Sequence, residues 1–484
     1  MLTDKDLISV QEARNAVNAA HEAFKEMAHF SQEKIDKICL AISKAAEQNA
    51  KYLARLAREE TGFGNENDKT VKNLFAAKGV YEAILPLKTV GILNHDTKRK
   101  VIDIGTGVGV VAGIVPSTNP TSTVIFKTLI SVKAGNSIVF SPHPSANECI
   151  LRTVEILREA AYKEGLPEGA IGCIKTPTLN GTKELMQNSK TALILATGGP
   201  GLVKSAYTSG RPAIGVGAGN GPAFIDKSAD ISTAIKRIFD SKTFDNGTIC
   251  ASEQSIVIEK CIKDKVEAEI IKQGGCILSD SDKAKLEAYI LRPNGTMNPA
   301  IVGKTAMEIA ELSKLSDVPP NTRVLLGREC KVGAAIPFSH EKLAPILAFY
   351  VEDDIEKVLE KCVKILHFEG AGHSFIMHTE SDEQAKDFAK LIPASRILVN
   401  TPGALGGIGA TTGLFPSLTL GCGAIGGSSS SNNIGPLDII NIKRVAYGQR
   451  ELSDLKPSHN CCKEGQNETV IKSLVEAVLK ELSK

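Results

Sequence analysis

Apolar residues recur at helical spacing through the first sixty positions. Val10, Ala13, Val17, Ala20 and Phe24 fall on one face. Ile35, Ile38, Cys39, Ile42 and Ala45 continue the pattern in a second segment, which Ser31 is placed to cap with Glu33 close by. A third stretch, 50–60, runs into the break Thr61-Gly62-Phe63-Gly64. From about residue 100 the pattern shortens. Residues 108–115 predict a strand ending at Pro116, 127–133 a helix, 137–140 a buried strand before Pro142, 148–162 a helix, and 191–196 a strand followed by a glycine turn. Strand–helix alternation at this pitch predicts a parallel sheet covered on both faces. In such sheets ligands sit beyond the carboxyl ends of the strands. The loops after Val115, Phe140 and Ala196 are therefore the candidate cofactor loops. A second α/β unit follows over about 226–425, with strands at 255–258, 323–326, 374–377 and 397–399.

The end of the chain differs. Residues 455–468 are polar, with Pro457, Cys461, Cys462 and Gly465, and read as a linker. Val470, Ile471, Leu474, Val475, Val478, Leu479 and Leu482 then line one face of a short helix, opposite Lys472, Glu476, Lys480 and Glu481. Such a stripe serves a docking partner, or packs on its own subunit or a neighbour.

Composition narrows the classes. A chain of 484 residues implies two or three domains. Net charge is +2 with no basic block, which argues against a nucleic-acid partner. The N-terminus lacks a signal-peptide pattern, and runs such as 108–115 are too short to cross a bilayer, so a cytoplasmic protein is expected. The eleven cysteines show no paired metal spacing. Free thiols are expected, with neither a disulfide framework nor a metal site.

Cys250 is the strongest chemical candidate. It ends the turn Asp245-Asn246-Gly247 and is followed by small and polar residues, which predicts an exposed thiol with a lowered pKa. A packing cysteine is the alternative. Asn119 directly follows a strand, where its amide can face an oxyanion or simply make a turn. Thr197-Gly198-Gly199-Pro200-Gly201 opens a helix and offers backbone N–H groups to a phosphate, or is a structural turn. Gly105-Thr106-Gly107-Val108-Gly109 precedes a strand and is discounted as a dinucleotide fingerprint. His373, in a glycine loop, is available for proton transfer near pH 7 or for a structural hydrogen bond. Glu341 is placed to meet a ribose, or to serve a cap or turn.

Taken together, residues 115–120, 141–144, 196–201, Cys250 with its Asn246-Gly247 turn, and Glu341 with Pro345 resemble the aldehyde dehydrogenase superfamily, in its order and over about 8–450. The stretches 213–220, 244–255 and 417–423 resemble its coenzyme A-acylating branch, and in particular the aldehyde dehydrogenase half of bifunctional aldehyde/alcohol dehydrogenases. Because the sequence stops before an alcohol dehydrogenase half, the resemblance implies a stand-alone acylating enzyme. It implies an α/β, aldehyde-dehydrogenase-like fold: a Rossmann-like cofactor domain at 1–225, with an arm segment near 95–110, and an α/β catalytic domain at 226–425. A return to the β oligomerisation arm at 426–450, a linker at 451–468 and an amphipathic helix at 469–484 complete the expected plan.

The resemblance also implies roles. Cys250 is the nucleophile, Asn119 the oxyanion donor and His373 the proton shuttle. Pro116, Ser117, Thr118, Ser141, Pro142, His143, Thr197, Gly198, Gly199, Gly201, Gly217 and Glu341 hold the cofactor, NAD in preference to NADP, with coenzyme A as co-substrate. Hydrolytic relatives carry a water-activating glutamate in the region corresponding to 215–220, which here contains no carboxylate. The expected reaction is reversible oxidation of acetaldehyde or propionaldehyde to acyl-CoA by a homodimer or homotetramer. The terminal helix resembles the encapsulation peptides of bacterial microcompartment cargo, which implies a shell protein as partner and a location inside such a compartment. The alternatives are an acylating enzyme for succinic semialdehyde or sulfoacetaldehyde, a hydrolytic aldehyde dehydrogenase, and a scaffold protein with a relic site.

Overall fold

The computed structural model describes residues 3–455 and 464–483. Three helices open the chain, Lys5–Met27, Gln32–Gln48 and Ala50–Thr61. Ser31 caps the second by accepting from Lys34 N–H, as its sequence predicts. Gly62 ends the third in a left-handed conformation at φ 68°.

Strands β1 (Gly91–Asp96) and β2 (Val101–Gly107) come next. The five that follow are β3 (Val110–Ile114), β4 (Ser137–Ser141), β5 (Ile171–Cys173), β6 (Thr191–Thr197) and β7 (Ala213–Val216). They form a parallel sheet in the order β5-β4-β3-β6-β7. Successive residues of its strands enter opposite cores. Val111, Ile138, Phe140 and Leu195 pack on one side, and Val110, Ala112, Val139 and Ile194 on the other. A strand buried on both faces reads as a continuous apolar run, which is how 108–115 looks in sequence. The order reverses between β3 and β6, so the crevice at their carboxyl ends is the natural ligand position.

A second parallel sheet holds β8 (Pro222–Ile225), β9 (Ser255–Glu259), β10 (Gly275–Ile277), β11 (Val324–Glu329), β12 (Ile346–Glu352), β13 (Gly372–His378) and β14 (Ala394–Val399). Its order is β10-β11-β12-β9-β8-β13-β14. Here too alternate residues divide between two cores, with Val257, Leu325 and Phe375 opposite Ile256, Leu326 and Ile376. β8, β10 and β12 were not among the strands expected. β8 pairs with β9 and β13, so the second sheet begins ahead of the boundary expected at 225.

β15 (Ile440–Ala446) joins β1 and β2 in a three-stranded sheet ordered β1-β2-β15. Residues 92–104 and the described residues from 443 onward form a compact unit of their own. In it Arg444 pairs with Asp103 at 3.2 Å, and the helices Leu452–Leu455 and Glu464–Leu482 follow. The last helix starts earlier than the expected 469. The linker expected at 451–468 is thus helical at both ends, and its centre, with Cys461 and Cys462, lies outside the described residues. All seven apolar side chains of the terminal stripe are more than half exposed.

Candidate active site

The candidate cofactor loops lie at the carboxyl ends of β3, β4, β6 and β7. Pro116, Ser117, Thr118 and Asn119 follow β3 and are partly exposed. Ser141 closes β4, its Oγ 2.7 Å from Thr182 Oγ1. Pro142 follows, and His143 is exposed, with Nδ1 accepting from Ser145 N–H at 3.2 Å. Thr197 ends β6, and its buried hydroxyl has no partner among the described residues. Gly198 and Gly199 lead into the helix Pro200–Tyr207, which has no side-chain cap. A Cβ at Gly199, Gly201 or Gly217 would meet nothing within 4 Å, so the backbone there borders open space. Free helix N–H groups, an unsatisfied hydroxyl and three open glycines at a switch point fit the phosphates of a dinucleotide.

The chemistry gathers at the opposite polarity, at the amino ends of the second sheet. Cys250 lies on the turn before β9, Gly219 and Asn220 before β8, and Glu341 before β12, while His373 and Arg396 start β13 and β14. Three successive left-handed residues, Asp245 (φ 46°), Asn246 (φ 53°) and Gly247 (φ 77°), build the turn. Cys250 is half-buried, not exposed. It packs against an apolar cluster of Ile249, Ala251, Ala404, Ile408 and Leu420 with Phe75, Phe244, Leu405 and Leu418. The expected low pKa is overturned as well. Burial pushes the thiol up to about 12, helped by Glu341 and Cys422 and opposed by Arg396.

Asn119 reaches that turn. Its Nδ2 donates to Thr248 O and to Thr118 Oγ1, each at 3.1 Å, and its Oδ1 accepts from Lys72 Nζ at 2.5 Å. Gly219 lies between the Cys250 carbonyl and His373. A Cβ on it would overlap the Cys250 carbonyl and lie 3.3 Å from His373 Cε1.

His373 sits within β13 and is fully buried, so its expected place in an open glycine loop is corrected. Nδ1 lies 3.0 Å from Ser374 Oγ. Burial, and then Arg396, lower its pKa to about 3, so the ring is neutral at pH 7 and does not titrate there. Glu341 comes to the 215–220 segment from a distance in sequence. That segment contains no carboxylate, yet the fold brings one to it, because Glu341 Oε1 accepts from Gly219 N–H at 2.9 Å. Burial and neighbouring Glu369 raise the Glu341 carboxyl to about 8.

Several charged groups were not anticipated. Lys69 and Lys72 come from the helix Glu66–Leu74 and meet buried Asp245. Arg396, 3 % exposed, donates to Gly421 O at 2.6 Å and steadies the loop carrying Cys422. Lys127 bridges the ends of β3 and β6 through Ile114 O (2.6 Å) and Leu195 O (2.8 Å). Buried Glu253 accepts from Gly403 N–H at 2.7 Å, and burial raises it to about 7. One signal was present in the sequence. Residues 66–74 carry no apolar stripe, and a helix polar all round either faces water or buries its charges.

The open glycines border the carboxyl ends of the first sheet, while Cys250, the turn that Asn119 reaches and Glu341 gather at the amino ends of the second. The chain belongs to the aldehyde dehydrogenase family, whose model matches residues 2–277. It is 45% identical to the bifunctional aldehyde-alcohol dehydrogenase of Escherichia coli, over 90% of this chain and 50% of that protein. It is 34% identical to the succinate-semialdehyde dehydrogenase (acetylating) of Clostridium kluyveri, over 90% of this chain and 96% of that one. The chain thus spans about half the length of the bifunctional relatives it matches. Among solved structures, an acetylating aldehyde dehydrogenase from Geobacillus thermoglucosidasius is 50% identical, with a TM-score of 0.91 over 93% of this chain and 99% of that one. A propionaldehyde dehydrogenase from the Clostridium phytofermentans fucose utilisation bacterial microcompartment is 29% identical, with a TM-score of 0.82 over 90% and 97%. That of Rhodopseudomonas palustris, with bound coenzyme A and an acylated cysteine, is 25% identical, with a TM-score of 0.81 over 90% and 97%.

Proposed function

We propose that this protein is a coenzyme A-acylating aldehyde dehydrogenase for a short uncharged aldehyde such as acetaldehyde or propionaldehyde. The observation that carries it is the company Cys250 keeps. It packs in an apolar cluster, on a turn that Asn119 hydrogen-bonds. Burial disfavours the charged forms of the carboxyls Glu341 and Glu253 and of the His373 imidazole. An acyl-cysteine in that setting survives until a better nucleophile than water arrives.

Cys250, as its thiolate, adds to the aldehyde carbonyl to give a thiohemiacetal. The Asn119 amide and the Cys250 backbone N–H stabilise the oxyanion. A bound nicotinamide dinucleotide, held by 116–119, 141–143, 197–201 and Gly217 with Glu341 toward the ribose, supplies the hydride acceptor, with NAD preferred over NADP. Loss of hydride leaves a thioester on Cys250, and the thiol of coenzyme A then takes the acyl group. Exchange of one thioester for another is nearly balanced, so the reaction runs both ways. His373 lies next to Gly219, which also meets the Cys250 carbonyl, and this placement supports it as the group that passes on the thiol proton.

The anionic alternatives, succinic semialdehyde and sulfoacetaldehyde, need a free cation near Cys250. Lys69 and Lys72 are buried on Asp245, and the Arg396 guanidinium is engaged by backbone carbonyls, so the apolar aldehyde fits better. The decisive assay is NADH formation from propanal and NAD with and without coenzyme A. Dependence on coenzyme A with propionyl-CoA as product is expected, and equal rates giving propionate would overturn the reading.

The small sheet exposes Ile92, Ile442 and Val445, with exposed Tyr447 just after it, which suits pairing with a second copy in a homodimer or homotetramer. The exposed stripe on the helix Glu464–Leu482 suits docking to a microcompartment shell protein. Removing 455–484 should end co-purification with shell proteins, and unchanged co-purification would reject docking.

A further inference from the structure

The helix Glu66–Leu74 packs inside out. Its apolar Val71 and Leu74 are exposed, while Lys69, Lys72 and Asn73 are buried. Burying two ammonium groups is unfavourable unless each is paired and hydrogen-bonded. One carboxylate, Asp245, is in contact with both. The remaining donors go to named atoms. Lys72 Nζ donates to Asn119 Oδ1 at 2.5 Å and to Thr248 Oγ1 at 3.3 Å, and Lys69 Nζ donates to Thr118 O at 3.2 Å. Thr248 Oγ1 in turn donates to Asp245 Oδ2 at 2.7 Å. Two lysines one helical turn apart thus grip both walls of the site. Residues 118–119 form one wall and 245–248 the other. Asp245 is itself fixed, since its N–H donates to Asp68 Oδ2 at 2.7 Å and its Oδ1 accepts from Asn65 N–H at 2.8 Å.

An amide has two chemically opposite ends. With Oδ1 on an ammonium, the N–H groups of Asn119 must point toward the turn that carries Cys250, where they now meet Thr248 O. Released from Lys72, the amide is free to rotate half a turn and present its oxygen to the aldehyde oxygen, which would repel a developing negative charge. The ammonium also draws electron density toward Oδ1, which makes the opposite N–H a stronger donor.

We infer that Lys72 is a positioning residue for the oxyanion site: it fixes which end of Asn119 faces the aldehyde oxygen and strengthens that donor. The inference rests on the role proposed for Asn119, and Lys72 itself touches no reacting atom.

The test is a double-mutant cycle on purified enzyme, read as kcat for NADH formation from propanal with NAD and coenzyme A, and as the KM for NAD. Asn119→Ala should lower kcat by about 10²–10³-fold. Lys72→Met should lower it by roughly 10-fold or more, with the KM for NAD within about twofold. Lys72→Met added to Asn119→Ala should produce no further loss, because a residue acting through another has nothing left to act on. Wild-type kcat in Lys72→Met, or losses that multiply in the double variant, would overturn the inference while the Asn119 loss leaves that assignment standing. Wild-type kcat in Asn119→Ala would remove the assignment and this inference with it. If Lys72→Met alone does not fold, Lys72→Met with Asp245→Asn removes opposite charges together and enters the same cycle.

Discussion

The two halves of the candidate site are made of different materials. The half at the carboxyl ends of β3, β6 and β7 is backbone and small side chains: Gly199, Gly201 and Gly217 border open space, and the helix behind them has no side-chain cap. The half at the amino ends of β8, β9, β12, β13 and β14 is crowded and charged. Gly219 lies against the Cys250 carbonyl, Glu341 binds Gly219 N–H, and Asp245 bridges two buried lysines. One half is an open frame that a ligand completes, and the other is a packed interior that holds reactive groups in place. Glycine accordingly means opposite things two residues apart. At 217 it leaves room for something else, and at 219 it leaves room for the protein itself.

That contrast gives the largest expected effect. Gly219→Ala places a methyl on a backbone carbonyl that cannot yield. It should cost about 1–3 kcal/mol of stability and lower turnover by about 10²-fold or more, because Cys250 moves. Gly217→Ala has no clash to relieve. Its melting temperature should stay within the range of a neutral change, about 0.5 kcal/mol or less, while the KM for NAD rises about 10-fold as the methyl enters the proposed cradle. Calorimetry and steady-state kinetics on the two variants measure both arms. Equal destabilisation by the two substitutions would mean that the region around 217 is packed, and the distinction between the halves would fail.

The same contrast explains what was legible in the sequence. The open half is written locally, because a strand, a glycine turn and a helix start are consecutive residues. The loops after β3, β4 and β6 were accordingly located from hydrophobic pattern alone, as were the first three helices and most strands of the first sheet. The packed half is written across long separations. Lys72 and Asp245 are 173 residues apart, and Gly219 and Glu341 are 122 apart. No window of sequence joins them, so the buried lysines, Arg396 and the approach of Glu341 to 215–220 are not legible there. Two local readings were overturned by the same physics. The small polar neighbours of Cys250 read as exposure, and the glycines around His373 read as an open loop, yet Cys250 is half-buried, His373 is fully buried, and both pKa values move against the charged form. β10 and β12 were missed for simpler reasons. One is only three residues long, and the other begins within two residues of Pro345, whose ring signals a break.

The smallest effect sharpens the comparison most. The open half offers its groups to solvent, whereas the packed half keeps Cys250 protonated until something else arrives. Burial disfavours the charged form, and for a thiol that form is the nucleophilic thiolate, so a pKa raised to about 12 leaves little thiolate at neutral pH. Below that value the thiolate fraction grows about tenfold per pH unit. Inactivation by iodoacetamide, followed at Cys250 by peptide mass spectrometry, should therefore rise about tenfold per unit from pH 7 to 9 with no plateau. Cys261 and Cys330, both exposed, report the accessible thiols in the same digest. Saturating NAD should move the Cys250 curve to lower pH, because a cation brought near a buried thiol favours its charged form. A plateau near pH 7 without cofactor would show that the packed half holds a ready thiolate by itself. The division of labour between frame and interior would then have to be redrawn, with Arg396 and the backbone hydrogen bond at Cys250, which both oppose the upward shift, outweighing burial.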